Sequence, residues 1–83
     1  MSKVKVRKVQ NLYIDKIAYK SYYKDNQIYY ISKIYFQHHK HTYYMLSKPY
    51  YISVGDIVDI IYFKKSNKRY LKSMQYNQPI VSN

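Results

Sequence analysis

The stretch that decides the fold reads Val54-Gly55-Asp56-Ile57-Val58-Asp59-Ile60-Ile61-Tyr62-Phe63. Gly55 is the only glycine of the chain and suits a tight turn. The run that follows it is short and rich in β-branched side chains, which favours a strand over a helix. The basic segment Lys64–Arg69 then indicates a turn, and Tyr70–Gln75 predicts the returning strand. We therefore expect a β-hairpin here, with Ile57–Phe63 as the strongest strand.

Strands are also predicted on the N-terminal side of this hairpin. Residues Lys3–Lys20 alternate apolar and charged side chains, and a break in phase at Lys8–Val9 predicts a bulge in one long, bent strand. Turn residues at Lys24–Gln27 precede a second strand, Ile28–Gln37, and a third is expected over Thr42–Ser47. Because Glu is absent and Ala occurs once, no long helix is expected.

The alternation of the second strand predicts two different faces. The side expected to face the core carries Ile28, Tyr30, Ile34 and Phe36. The side expected to face solvent carries Tyr29, Ile31, Lys33 and Tyr35.

Five or six consecutive strands predict an all-β fold, a small antiparallel barrel over residues 1–76. The polar residues 77–83 are expected to form a flexible C-terminal tail. The segment Ile52–Ile60, followed by Tyr62 and the charged hairpin ending at Leu71, resembles the last strands of oligonucleotide-binding (OB-fold) barrels. This resemblance covers Ile52–Met74, about a quarter of the chain. The Val-Gly-Asp-x-Val-x-Ile pattern also occurs in SH3-like barrels, and Lys48–Ser53 leaves no room for the helix of many OB-folds, so both barrel types stay open.

Charge and aromatic content point to the kind of partner. Fifteen Lys and Arg residues stand against four Asp, a formal net charge of +11. So many positive side chains repel one another in the folded state unless an anion compensates their charge. The 14 tyrosines need partners for their hydroxyl groups when buried, so many rings should stay half-exposed.

Cations that follow phosphates, combined with rings on which bases stack, are typical of proteins that bind single-stranded nucleic acid. We therefore predict binding of single-stranded DNA or RNA, with little sequence specificity because Arg, Asn and Gln are few on the proposed face. The predicted nucleic-acid-binding residues are Tyr29, Lys33, Tyr35, Tyr43, Lys64, Lys65, Lys68, Arg69 and Lys72.

Two other binding functions fit the same composition. Exposed tyrosines and a cationic face also suit a protein interaction module, such as a viral or plasmid inhibitor that binds an acidic partner, or a homodimer. A barrel that binds duplex DNA would need apolar wedges, for which Met45 and Met74 are the candidates.

Catalysis, metals and cofactors are not expected. Four Asp, no Glu and no Cys leave few general bases or nucleophiles. The cluster His38, His39 and His41 is interpreted as an exposed hairpin turn rather than a metal site, because no carboxylate or thiolate lies nearby in sequence. The absence of Cys and of a long apolar run predicts a cytoplasmic protein with no membrane contact, in the host cytoplasm if the chain is viral.

Overall fold

A computed structural model describes residues 4–77, which form an all-β domain without a helix. The predicted fold class is thereby confirmed, with five strands in this part of the chain. The strands are β1 (Val6–Lys24), β2 (Gln27–Phe36), β3 (Thr42–Met45), β4 (Ile57–Lys65) and β5 (Lys68–Tyr76).

The five strands form one sheet that closes into a barrel in the order β1-β2-β3-β5-β4. Closure comes from β1, whose first half pairs with β4 and whose second half pairs with β2. All pairings are antiparallel except β3 with β5, which is parallel. The barrel was expected to be antiparallel throughout, and this one pairing differs. After β4 the chain returns as β5 and lies beside β3 in the same direction.

Two irregularities bend β1 around the barrel. The register with β4 shifts between Val9 and Leu12, and the register with β2 shifts between Ile14 and Lys16. Asn11 has a φ of 61°, a left-handed conformation that Asn tolerates better than most residues. The bulge predicted at Lys8–Val9 is thus present slightly later in the strand, and it lets one strand pair with two neighbours.

A tight turn connects the two strands of each hairpin, β1–β2 and β4–β5. Both central residues of the β1–β2 turn, Asp25 and Asn26, have positive φ, at 52° and 62°. Ser66 and Asn67 in the β4–β5 turn show nearly the same angles, 52° and 63°. Paired positive φ values characterise the type I′ turn, whose twist matches that of the strands it connects.

The core lies inside the ring and is centred on β4. Val58 and Ile60 are fully buried there, as are Ile14 and Ile34 on β1 and β2. Ser32 is the buried polar residue of this part of the chain, and its hydroxyl donates a hydrogen bond of 2.6 Å to the Ser47 carbonyl. The remaining buried apolar residues are Leu12, Phe36, Tyr43, Ile52, Tyr62 and Met74.

The predicted faces of β2 are confirmed only where β2 belongs to the barrel. Ile34 and Phe36 are buried, Tyr30 is half-buried, and Ile28 is 50% exposed. Ile28 lies outside the core because β3 pairs only with the stretch of β2 from Ser32 to Tyr35. The first half of β2 and the end of β1 therefore extend from the barrel as a two-stranded arm, the β-arm, which spans residues 20–31.

The predicted tail lies outside the described residues except for Asn77. The backbone amide of Asn77 donates a hydrogen bond of 2.8 Å to the Ile57 carbonyl. Its side-chain amide donates to the carboxylate of Asp59 at 2.7 Å. No helix between residues 4 and 77 combines the length and apolar character that crossing a membrane requires.

Candidate nucleic-acid interface

An open groove of about 530 Å³ crosses the outer surface of the barrel. It begins at the base of the β-arm, passes over β2 and β3, and reaches the start of β5 near the β4–β5 turn. The side chains that line it are aliphatic, aromatic or cationic, with one serine and no carboxylate. They are Ala18, Tyr19, Lys20, Ser21, Tyr22, Ile31, Lys33, Tyr35, Tyr44, Leu46, Lys68 and Tyr70.

Strand register aligns a row of side chains across the floor of the groove. Ala18 lies opposite Lys33, Lys33 opposite Tyr44, and Tyr44 opposite Tyr70. Residues paired in this way share one face of the sheet. Phe63 extends the row onto β4, with its ring stacked 5.7 Å from that of Tyr70. The result is a band of aromatic rings that crosses three strands on the solvent side of the barrel.

Lysine ammonium groups lie close to the rings of this groove. The Nζ atoms of Lys33 and Lys68 lie 5.9 Å and 5.4 Å from the centre of the Tyr44 ring. Lys16 lies over Tyr35 in the same way, at 5.5 Å. These are cation–π distances, so the lysines are held beside the rings rather than spread at random over the surface. A ligand in the groove would meet ring faces and positive charges together.

Three of the sequence-predicted site residues line the groove: Lys33, Tyr35 and Lys68. Tyr29 lies beside it on the β-arm, where its ring stacks at 5.5 Å on Tyr22, which does line the groove. The hydroxyl of Tyr29 donates a hydrogen bond of 2.8 Å to the Gln27 side chain. Tyr29 therefore supports the wall of the groove.

Tyr43 requires a correction. It is only 2% exposed and packs edge-to-face in the core against Phe36 and Tyr62, with ring centres 5.2 Å and 5.1 Å away. Burial raises the pKa of its hydroxyl, an effect that the nearby Arg69 charge partly opposes. Its ring is not open to a base, and the neighbouring Tyr44 takes the outer position instead.

The other predicted cations lie in three places. Lys65 pairs with Lys68 across the β4–β5 turn and shares its outward face. Lys64 and Arg69 pair with each other on the opposite face, away from the groove. Lys72 is exposed at the register shift between Leu71 and Ser73 and does not line the groove. The basic residues that look contiguous in sequence are thus divided by strand alternation.

Sequence reasoning missed several groove residues. Tyr44 and Tyr70 form its aromatic floor, and Lys20 and Tyr22 come from the β-arm. Strand alternation was the available signal, since Tyr22 lies two residues from Lys20 along β1. Tyr22 was missed because the first strand was predicted to end at Lys20, whereas β1 continues to Lys24 and brings Tyr22 opposite Tyr29.

The carboxylates lie elsewhere on the barrel. Asp56 accepts a hydrogen bond of 2.8 Å from the backbone amide of Ser53, and Asp59 accepts one of 3.0 Å from Asn11. Both serve the backbone of loops and bulges. Across residues 4–77, no three side chains of His, Cys, Asp or Glu converge as a metal site would require.

No model of a known protein family matches the chain, and no curated protein is significantly similar to it.

Proposed function

We propose that the protein binds single-stranded DNA or RNA in the groove across β2 and β3. The observation that carries the proposal is the placement of Tyr44 between Lys33 and Lys68, with Tyr35 lining the same open groove. Aromatic faces bind bases by stacking, and each stacked base contributes about 1–3 kcal/mol. The lysines next to these rings would turn towards the phosphates of the same strand.

The proposal favours a single strand over a duplex. Stacking on a tyrosine requires an unstacked base, and the bases of a duplex are already stacked on each other. The proposal also favours weak sequence preference. Among the lining residues there is no Arg, Asn or Gln, the side chains that most often read base edges through paired hydrogen bonds.

We propose, together with this function, that the barrel is an OB-fold. Its support is the five-stranded closed sheet with one crossover, together with the position of the groove. OB-folds bind oligonucleotides on the face of strands 2 and 3, between the β1–β2 and β4–β5 loops. Here the groove lies on β2 and β3 and reaches from the β-arm to Lys68. We further propose a binding protein rather than an enzyme, since no carboxylate or histidine of residues 4–77 lines the groove.

Fluorescence anisotropy tests the proposal directly. Labelled single-stranded and duplex oligonucleotides of equal length are titrated with the protein at two salt concentrations. Single strands should bind more tightly, and affinity should fall steeply with salt because counterions are released. Tyr44→Ala should weaken the binding of single strands, whereas Tyr76→Ala, an exposed tyrosine outside the groove, should not. Equal binding by both variants would contradict the groove assignment.

A protein partner is the second candidate, and a feature of the β-arm favours it. Tyr23 and Ile28 pair with each other on the face opposite Tyr22, and they are 75% and 50% exposed. Exposed tyrosine and aliphatic surface is characteristic of interface cores. An acidic protein or a second copy of the chain would then be the ligand. Such a partner should stay bound at salt concentrations that release oligonucleotides.

A further inference from the structure

Both arginines of the chain lie at the same end of the barrel. This end is where β1 starts and where the β2–β3 and β4–β5 turns meet. Arg7 pairs with Tyr62 and Arg69 pairs with Tyr43, two core residues whose rings lie 5.1 Å apart. Since paired residues share a face, both arginines lie on the core side of their strands, above one pair of buried tyrosines.

Two further basic side chains complete this end of the barrel. Lys64 is the direct partner of Arg69 across the β4–β5 hairpin. His41, in the β2–β3 turn, has a pKa lowered by loss of hydration and then by the charges of Arg69, Lys64, His39 and Lys40. Within residues 4–77, the charged groups that act on His41 are all basic and include no carboxylate. This end of the barrel therefore concentrates positive charge.

Arg69 also has an unused hydrogen-bond donor. Its Nε atom is buried and has no hydrogen-bond partner within residues 4–77. A buried donor without a partner is costly, and a charged donor more so. Arg forms paired hydrogen bonds with planar or tetrahedral oxyanions, and a phosphate group offers several acceptor oxygens with up to two negative charges. Arg69 as a whole is only half-buried, so its guanidinium can turn outward to a phosphate, which would satisfy the donor and balance the positive charge at this end.

We propose that the barrel end formed by Arg7, His41, Lys64 and Arg69, here called the cationic end, binds a phosphate monoester or free phosphate. This site is separate from the groove, because Arg69 alternates with Lys68 and Tyr70 and so faces the opposite side of β5. It does not depend on nucleic-acid binding in the groove. The same chemistry could be presented by the terminal phosphate of a strand or by a free phosphate.

The experiment uses inorganic phosphate as the probe and NMR of the isotope-labelled full chain as the readout, at constant ionic strength. Saturable shifts are expected at His41, Lys64 and Arg69, with none at Tyr44. Arg69→Gln should weaken phosphate binding at least about tenfold, the effect of losing a charge-assisted hydrogen bond. Lys33→Gln removes the same charge from the groove and should leave phosphate binding unchanged.

Arg69→Lys keeps the charge but removes Nε, and it should bind phosphate more weakly than the native chain while retaining the native fold. The proposal would be overturned if phosphate caused no saturable shifts. It would also be overturned if Arg69→Gln and Lys33→Gln weakened phosphate binding equally, since general attraction between charges would then explain the binding. A terminally phosphorylated oligonucleotide that binds more tightly than its hydroxyl counterpart only when Arg69 is present would assign the site to strand ends. Equal binding of the two, with phosphate still bound, would assign it to free phosphate.

Discussion

Tyr43 and Tyr44 are neighbours in β3 with opposite environments. Tyr43 is buried among core rings, while Tyr44 forms the floor of the groove between two lysines. The sequence could not separate them, because β3 is short and two tyrosines in succession give no phase. By contrast, the outward face of Lys33 and Tyr35 was predicted correctly, since the longer alternation of β2 has buried Ile34 between them.

Substitution of these two tyrosines should therefore have opposite effects. Tyr43→Ala should lower the free energy of unfolding by roughly 3–5 kcal/mol, the usual cost of deleting a buried aromatic ring. Tyr44→Ala should cost much less stability and should weaken the binding of single strands by about 1–3 kcal/mol. Urea denaturation and anisotropy measure the two effects. An unfolded Tyr44→Ala protein beside a stable Tyr43→Ala protein would contradict the β3 register.

His41 gives a test of local charge at the cationic end. Loss of hydration, Arg69 and Lys64 together hold its pKa below 6.5, so Arg69→Gln should raise that pKa. The pKa of His41 is lower in the folded state than in the unfolded state, so protonation of the imidazole favours unfolding. The free energy of unfolding should therefore fall as the pH drops through 6.5 towards the folded pKa. NMR titration of the imidazole measures the shift. Lys72→Gln serves as the control, since Lys72 does not act on His41, and an equal rise in that variant would contradict the local effect.

At the scale of elements, the hairpins were predictable and the crossover was not. Asp25-Asn26 and Ser66-Asn67 are residues that tolerate positive φ, so local chemistry alone indicates both turns. The parallel pairing of β3 with β5 depends on contacts between residues distant in sequence. No local pattern encodes such contacts, which is why the groove between the β-arm and β5 could not be assembled from the sequence.

The β4–β5 turn should contribute to binding through its outward lysines. Lys65 and Lys68 pair on the groove side, so replacing both with Gln should flatten the dependence of log affinity on log salt by roughly 1–2 units. Affinity should fall equally for all oligonucleotide sequences, because phosphate contacts carry no sequence information. Lys72→Gln, at the exposed register shift, should leave the slope unchanged. If the salt dependence flattens in Lys72→Gln and not in the double variant, the interface lies on the other side of β5.

The β-arm should be the least protected part of the sheet. From Tyr22 to Tyr29, each strand of the arm pairs only with the other, whereas β4 has β1 on one side and β5 on the other. Amide hydrogen exchange should therefore be slowest in Ile57–Phe63 and faster in the arm. A single strand bound in the groove should slow exchange near Lys20 and Tyr22, which line it. Protection that is uniform over both regions would contradict this division.

At the scale of the whole molecule, charge opposes folding. The formal net charge is +11, and the carboxylates of Asp56 and Asp59 are engaged by backbone and amide donors. A small barrel of this charge is destabilised by repulsion among its lysines, and salt screens that repulsion. Composition alone predicts this repulsion, because net charge does not depend on how the strands are arranged.

The melting temperature should therefore rise as potassium chloride is added to a low-salt buffer, and a polyanion should raise it further at lower ionic strength. Replacing Lys8, Lys24 and Lys72 with Gln removes three exposed positive charges outside the groove. This variant should melt at a higher temperature than the native chain in low salt and should gain less from added salt, because less repulsion remains to be screened. Circular dichroism followed through the thermal transition measures both quantities. If the native chain and the variant respond to salt equally, repulsion between surface lysines does not limit stability, and the positive charge acts only on the partner.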